Sequence, residues 1–278
     1  MTPLKEHEVM IKTNWHTHTS RCGHAVGTDE EYVQAAIQGG LTTLGFSDHA
    51  AYTKSRRTDR MDLEQFPDYM ASIRALKEKY KDQITLYLGT EIECYPEEIE
   101  ILTEYRKKMD YCILGQHSLN LDDDLSYLAT TPDLLDIYVS RLEYACAHDL
   151  CEYICHPDVI LWSYPRIDGS VRDAAKKIAA ISNQYHVPLE LNTGSGVHHG
   201  MREYEDGKRY AYPTRAFFEE FAREKCPIVI GLDVHDPKLF LDDTDLNRAL
   251  SVVEGLGCNI IDDYDVIAAA NEHKKKYL

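Results

Sequence analysis

Apolar positions along this 278-residue chain fall into short runs, separated by longer stretches with helical periodicity. Val9-Met10-Ile11, leading to Trp15, predicts a first strand. Thr28-Asp29-Glu30-Glu31 has the form of a capping box, which opens a helix running to about Gln38, and Gly39-Gly40 stops it. Thr42 to Ser47 is a second strand. A helix from Leu63 to Tyr80 carries Ile73, Leu76 and Tyr80 on one stripe. Ile84 to Glu91 is a third strand, and Pro96 opens the next helix in its first turn. Tyr111 to Leu114, Glu152 to Cys155, Val187 to Leu191 and Ile228 to Leu232 complete a set of seven. Helices are predicted between and after them, near residues 132–148, 170–185, 214–224, 244–255 and 264–276.

Seven strands alternating with helices indicate parallel βαβ units. The predicted fold is α/β, a distorted seven-stranded (β/α)7 TIM-like barrel, with an open doubly wound sheet as the alternative. No linker or low-complexity tract divides the chain, so residues 1–278 read as a single domain. Two long loops stand out. Ser118 to Thr131 contains Asp122-Asp123-Asp124, read as a solvated acidic run, and Thr193 to Pro213 is long enough to be a lid.

Composition narrows the partners. Forty-seven acids against 30 Lys and Arg give a formal charge of −17, which repels nucleic-acid backbones and anionic lipid. The eight cysteines contain no CxxC pair, and the N-terminus has no apolar targeting segment. These features predict reduced thiols in a cytoplasmic protein, with neither nucleic acid nor membrane as partner.

The 13 histidines change the picture most. In parallel α/β folds the chemistry gathers at the carboxyl ends of strands. Here those ends read His16-Thr17-His18 (with His24 in the following loop), Asp48-His49, Glu91-Ile92-Glu93, His117, His156-Pro157 and Asp233-Val234-His235. Residues i and i+2 share a strand face, so His16 pairs with His18, and Asp233 with His235. A single histidine at a strand end is usually an ordinary polar group. Seven at five strand ends, with two carboxylates, predict a metal cluster. Nine candidate ligands exceed what one ion takes, so two or three ions are expected. Asp48, Glu93, Asp158 and Asp236 are near enough in sequence to orient the ligating imidazoles. His7, His148, His186, His198, His199 and His273 are read as ordinary.

The ordered set His16-x-His18, Gly23-His24, Ser47-Asp48-His49, Gly89-x-Glu91, His117, His156-Pro157 and Asp233-x-His235 resembles the PHP (polymerase and histidinol phosphatase) superfamily, in its stand-alone histidinol-phosphate phosphatase branch. The resemblance implies a distorted (β/α)7 barrel with a trinuclear site of zinc, iron or manganese. It implies that His16, His18, Glu91 and Asp233 hold one metal and His24, His49 and His235 a second. Glu91, His117 and His156 would hold the third. Glu93 shares a strand face with Glu91, and the Gly-x-Glu spacing leaves it outside the ligand set.

The activity so implied is hydrolysis of L-histidinol phosphate to L-histidinol and phosphate in histidine biosynthesis, by a metal-bridging hydroxide. Asp48, Asp233 and His235 are then the catalytic candidates, Asp48 either orienting a ligand or passing a proton to the leaving alkoxide. Arg166 and Arg202 resemble the phosphate-binding arginines of that branch, with Arg215 in reserve. Glu190 and Asn192, at the end of the sixth strand, are candidates for the cationic end of the substrate, and His198 and His199 for the lid. A phosphoesterase of the same family with another small substrate, and a non-catalytic metal-binding module, are the alternatives.

Overall fold

The computed structural model describes residues 11–53, 57–121 and 131–278. The beginning of the first predicted strand, His7 and the Asp122-Asp123-Asp124 run lie outside the described residues.

Thr28 and Glu31 cap α1 (Asp29–Gln38) reciprocally, as the capping box requires. The chain then turns at Gly39-Gly40, where Gly40 has φ +81°, a value open to glycine. Four parallel strands follow in sheet order β1 (Thr13–Asn14), β2 (Thr43–Phe46), β3 (Thr85–Ile92) and β4 (Tyr111–Leu114). A second parallel set has β8 (Pro227–Gly231) between β5 (Leu189–Asn192) and β9 (Asn259–Ile260). All four residues of β4 and of β5 are buried, the mark of strands covered on both faces.

The two sets are joined through residues 152–155, where only Ile154 keeps the regular pairing. Ile154 bridges Leu114 on one side and Leu189 on the other, both parallel. The predicted fifth strand, Glu152 to Cys155, is reduced to this bridge for a local reason. The Glu152 carboxylate takes the Cys112 N–H at 2.6 Å, so a side chain replaces a rung of the ladder. On the far side, Thr17 bridges Val234 in parallel. The result is an α/β fold with a curled parallel sheet. β9 was not anticipated; it occupies the start of β8, which separates that end of β8 from β1.

Helices α2 (Phe66–Tyr80), α3 (Ile99–Lys108), α4 (Pro132–Ala147), α5 (Gly169–Tyr185), α7 (Arg215–Arg223) and α8 (Thr244–Val253) cover the outside. The helix predicted from Leu63 begins at Phe66, with Pro67 in its first turn. The main apolar core lies between these helices and the sheet. A smaller cluster groups Tyr111, Ile113, Tyr153 and Cys155 with Trp15, Tyr87 and Val229 from the other strands. Tyr111 stands edge-on to Trp15 and donates its hydroxyl to Trp15 O and Phe46 O. Val266 and Ala270 of α9 (Val266–Lys274) belong to the same cluster. Each buried aromatic ring contributes roughly 1.5–3 kcal/mol. The stretch from 193 to 213 is not a plain loop: it holds α6 (Ser195–His198) and an antiparallel hairpin of β6 (Arg202–Tyr204) and β7 (Gly207–Arg209). No helix among the described residues is long and apolar enough to cross a membrane.

Candidate metal centre

The carboxyl ends of the strands bring all nine candidate ligands together. Glu91, buried in β3, lies at the centre. Its Oε1 is 3.0 Å from His156 Nε2, 3.6 Å from His16 Nε2 and 3.7 Å from His117 Nε2. Its Oε2 is 2.7 Å from His49 Nδ1 and 3.3 Å from His18 Nε2. Asp233 Oδ1 stands 3.4 Å from His16 Nε2, 3.5 Å from His18 Nε2 and 3.4 Å from His235 Nδ1. His24 joins through His235, Nε2 to Nε2 at 3.0 Å. The approach is tight at the backbone: a Cβ on residue 115 would fall 1.6 Å from Glu91 Oε1, so only glycine fits there. His156 and Asp233 hold φ values of +25° and +47°, where side-chain-bearing residues are strained by about 1–3 kcal/mol. Strain of that kind collects at functional sites.

Several of these contacts suit a shared cation. His24 Nδ1 lies 3.1 Å from Cys22 O and His235 Nδ1 3.0 Å from Asp233 O, so each Nδ1 carries the proton as donor. Their Nε2 lone pairs then face one another. His16 and His18 bring their Nε2 atoms within 3.1 Å, with Glu190 accepting from His16 Nδ1 at 2.8 Å and His18 Nδ1 buried without a hydrogen-bond partner. Facing lone pairs repel, but nitrogens on one zinc ion stand roughly 3.3 Å apart if each bond is about 2.0 Å. Glu91 Oε2 and Asp233 Oδ1 are also buried with no hydrogen-bond partner. The groups His24-His49-His235, His16-His18-Glu91 and His16-His156-Asp233 each converge closely enough to hold an ion.

Electrostatics points the same way. Burial and the neighbouring His235 and His49 hold His18 well below the ordinary histidine range, and burial takes His49 down to about 4. Both imidazoles are therefore neutral, with lone pairs available. Burial opposes ionisation of Glu91 and Asp233, yet the imidazoles around them keep both carboxyls below the usual range. Burial likewise opposes protonation of His16 and His156, but Glu190 and Asp233 raise the first and Glu91 the second. The centre attracts positive charge at its carboxylates, a demand that metal ions meet.

The PHP domain family model matches residues 14–194, from just before His16 to just beyond Asn192. The chain belongs to the PHP domain family. It is 29% identical over 232 residues to a Deinococcus radiodurans protein named a probable histidinol-phosphatase, covering 80% of this chain and 85% of that one. A Schizosaccharomyces pombe protein of the same description is 24% identical over 245 residues, covering 80% of each. Among solved structures, histidinol phosphate phosphatase from Lactococcus lactis, complexed with zinc, L-histidinol and phosphate, superposes with TM-score 0.65 at 18% identity. That likeness covers 90% of this chain and 95% of the other, and it establishes the fold.

Around the PHP centre, the residues expected to orient ligands divide. Glu93 sits behind His117, its Oε1 3.6 Å from the His117 Nδ1, and accepts from Arg57, Arg60 and Tyr95 and from the backbone N–H groups of His117 and Ser118. Asp48 is buried and accepts from Thr19 N and Oγ1, so it fixes the turn after His18 rather than facing the cavity. Burial pushes its carboxyl up to about 7. Asp158 accepts from Thr214, and Asp236 caps the turn at Lys238. Glu190 and Asn192, anticipated beside the substrate, are fully buried behind the histidines. Glu190 holds His16 Nδ1 and the His156 N–H, and Asn192 donates to Glu190 at 2.7 Å. Glu190 thus does for His16 what Asp48 was expected to do.

In front of the PHP centre opens a cavity of about 380 Å³, lined by His18, His24, His49, Glu91, His117, Asp233 and His235 on one side. Asp59, Val159, Trp162, Ser195, His199 and Tyr212 line the other. Arg202 stacks over Trp162 at 4.8 Å, which puts it at the cavity rim. Arg166 is exposed and pairs with Glu205 at 3.9 Å. Arg215 donates to Val252 O and Glu254 O, toward the end of α8. His199 reaches the cavity, while His198 pairs with Asp245 at 2.6 Å. Trp162, Tyr212 and Asp59 were not singled out from sequence. The one signal for them was loop length after the second, fifth and sixth predicted strands, Tyr212 falling in the stretch read as a lid.

Proposed function

We propose that this chain is a metal-dependent phosphomonoesterase that hydrolyses L-histidinol phosphate to L-histidinol and inorganic phosphate. The observation that carries the reading is the set of nine convergent candidate ligands, with the His24 and His235 Nε2 atoms 3.0 Å apart, beneath a cavity sized for a small phosphate ester. The description of the two sequence relatives and the zinc, histidinol and phosphate in the Lactococcus lactis complex support the substrate.

His16, His18, Glu91 and Asp233 would hold one ion, and His24, His49 and His235 a second. Glu91, His117 and His156 would hold a third, so the reading calls for two to three ions, with zinc favoured over iron or manganese by the related complex. Such ions polarise phosphoryl oxygens and lower the pKa of water towards neutrality. The chain's own groups prepare the site for them. Glu190 takes the Nδ1 proton of His16 and leaves Nε2 facing inward. Glu93 anchors the His117 backbone, and Asp48 fixes the turn between His18 and His24. Asp233 and His235, ligand candidates that also line the cavity, are the groups read as catalytic. Arg202, over Trp162, and Arg166 are the cations available to the outer phosphoryl oxygens.

The same reading takes Ile154 as the fifth strand and the Thr17–Val234 bridge as closure of a distorted seven-stranded barrel in one domain. Asp233 and His235 lie beyond the family match yet complete the cluster, which supports one unit. All eight cysteines are unpaired, in keeping with a cytoplasmic enzyme. The deciding experiment compares phosphate release from L-histidinol phosphate with release from a panel of sugar and other alkyl phosphates. Strong preference for histidinol phosphate is expected. Equal turnover across the panel would leave a phosphatase and remove the specific substrate.

A further inference from the structure

The segment before α7 is pinned on both sides of Tyr212. Arg209 Nη1 donates to Tyr210 O at 3.1 Å and Ala211 O at 3.3 Å. Its Nη2 donates to Leu161 O at 3.2 Å and Tyr164 O at 2.9 Å, and the guanidinium lies 3.5 Å over the Tyr204 ring. This one half-buried cation ties the hairpin to the turn that bears Trp162. On the other side, the Thr214 hydroxyl donates to Asp158 at 2.8 Å.

Tyr212 between them is 4% exposed. Its ring centroid lies 5.6 Å from that of His156 and 5.9 Å from that of Trp162. Gly196 lies against it: a Cβ there would fall 2.6 Å from two ring carbons. The side chain is therefore held firmly, and it lines the cavity beside the histidines. Four other buried tyrosines direct their hydroxyls to protein acceptors: Tyr52 to Glu93 O, Tyr69 to Gly89 O, Tyr105 to Ala51 O and Tyr138 to Pro157 O. Among the described residues, no protein group accepts from or donates to the Tyr212 hydroxyl. A rigid, buried, polar group without a protein partner at a cavity wall is in place for a ligand.

We propose that Tyr212 is a catalytic residue whose hydroxyl donates a hydrogen bond to the phosphoryl group of the bound ester. Its place in the wall explains the choice of ligand. His156 is on one side of Tyr212 and Trp162, carrying Arg202, is on the other. A phosphate that spans from the ligand cluster to Arg202 passes along this wall. A phenol, with an ordinary pKa near 10, keeps its proton at neutral pH and acts as donor without adding charge. The inference rests on the proposed phosphomonoesterase reading, but its test is separable from the identity of the substrate.

The test is Tyr212→Phe in the full-length, metal-loaded protein, which keeps the ring against His156, Trp162 and Gly196. Calorimetry with inorganic phosphate should show affinity weakened about 10- to 100-fold, the range expected for one hydrogen bond to a charged acceptor. The kcat/KM for L-histidinol phosphate should fall by a similar factor, with metal content and Tm unchanged. Should the wild type fail to hydrolyse histidinol phosphate, weakened phosphate binding in the variant still supports the role of Tyr212. Phosphate affinity within twofold of wild type, or phosphate binding to neither protein, overturns it.

Discussion

Glu91 and Glu93 stand two residues apart, both 1% exposed, and meet opposite surroundings. Glu91 is ringed by five imidazoles within 3.7 Å. Glu93 is gripped by Arg57 at 3.1 Å and Arg60 at 2.6 Å. Burial opposes the ionised form of each, and in each case the neighbours hold the carboxyl well below its ordinary range. The difference lies in what those neighbours can yield. An imidazole can lose its proton and offer a lone pair, so the group around Glu91 can exchange protons for metal ions. A guanidinium keeps its charge at any physiological pH, so the group around Glu93 is already neutralised and has no room for a cation. On the proposed reading, one carboxylate serves the chemistry and the other the scaffold that presents His117.

Three changes would break or sharpen this contrast. The largest effect is expected from Glu91→Gln, which removes the carboxylate common to two of the proposed ion sites. Phosphatase activity should fall about 10³-fold or more, since metal stabilisation is worth several kcal/mol at tenfold per 1.36 kcal/mol. Elemental analysis should show loss of metal, while circular dichroism stays that of a folded protein.

Glu93→Ala should act mainly on stability. It leaves Arg57 and Arg60 without their shared buried carboxylate, at a cost of about 3–5 kcal/mol in chemical denaturation. Metal loss as complete as that of Glu91→Gln, with stability unchanged, would erase the distinction between the two glutamates.

The smallest effect concerns Asp59, at the cavity edge. Burial pushes its carboxyl up, but Arg60 and Arg57 outweigh it and hold the group below its ordinary value. A depressed carboxyl contributes stability above its unfolded pKa and loses it as pH falls through the folded value. The side chain is 35% exposed, so solvent limits the contribution to under about 1 kcal/mol. Asp59→Asn should therefore lower Tm slightly at neutral pH. The gap from wild type should close as pH falls below about 4. A gap that widens on acidification would contradict this reading.

How much of this was legible in the sequence follows from how local each signal is. His16, His18, His49, Glu91, His117, His156, Asp233 and His235 each end or directly follow an apolar run, so strand topology alone brings them together. Direction was not legible. Glu190 is at the end of β5, where a substrate contact was expected, but its side chain passes behind His16. The fifth strand was legible as a buried apolar run but not as a one-residue bridge, because nothing local shows that the Glu152 carboxylate takes the Cys112 N–H. The cavity wall was least legible. Trp162 and Tyr212 come from separate loops, and nothing in the sequence singles out Arg209, which ties those loops together.

The most direct measurement strips the wild-type protein of metal with a chelator and titrates zinc back while following phosphate release from L-histidinol phosphate. The account predicts activity abolished on stripping and restored as about two to three equivalents bind, in step with metal content. Full activity in protein shown by elemental analysis to hold no transition metal would contradict it.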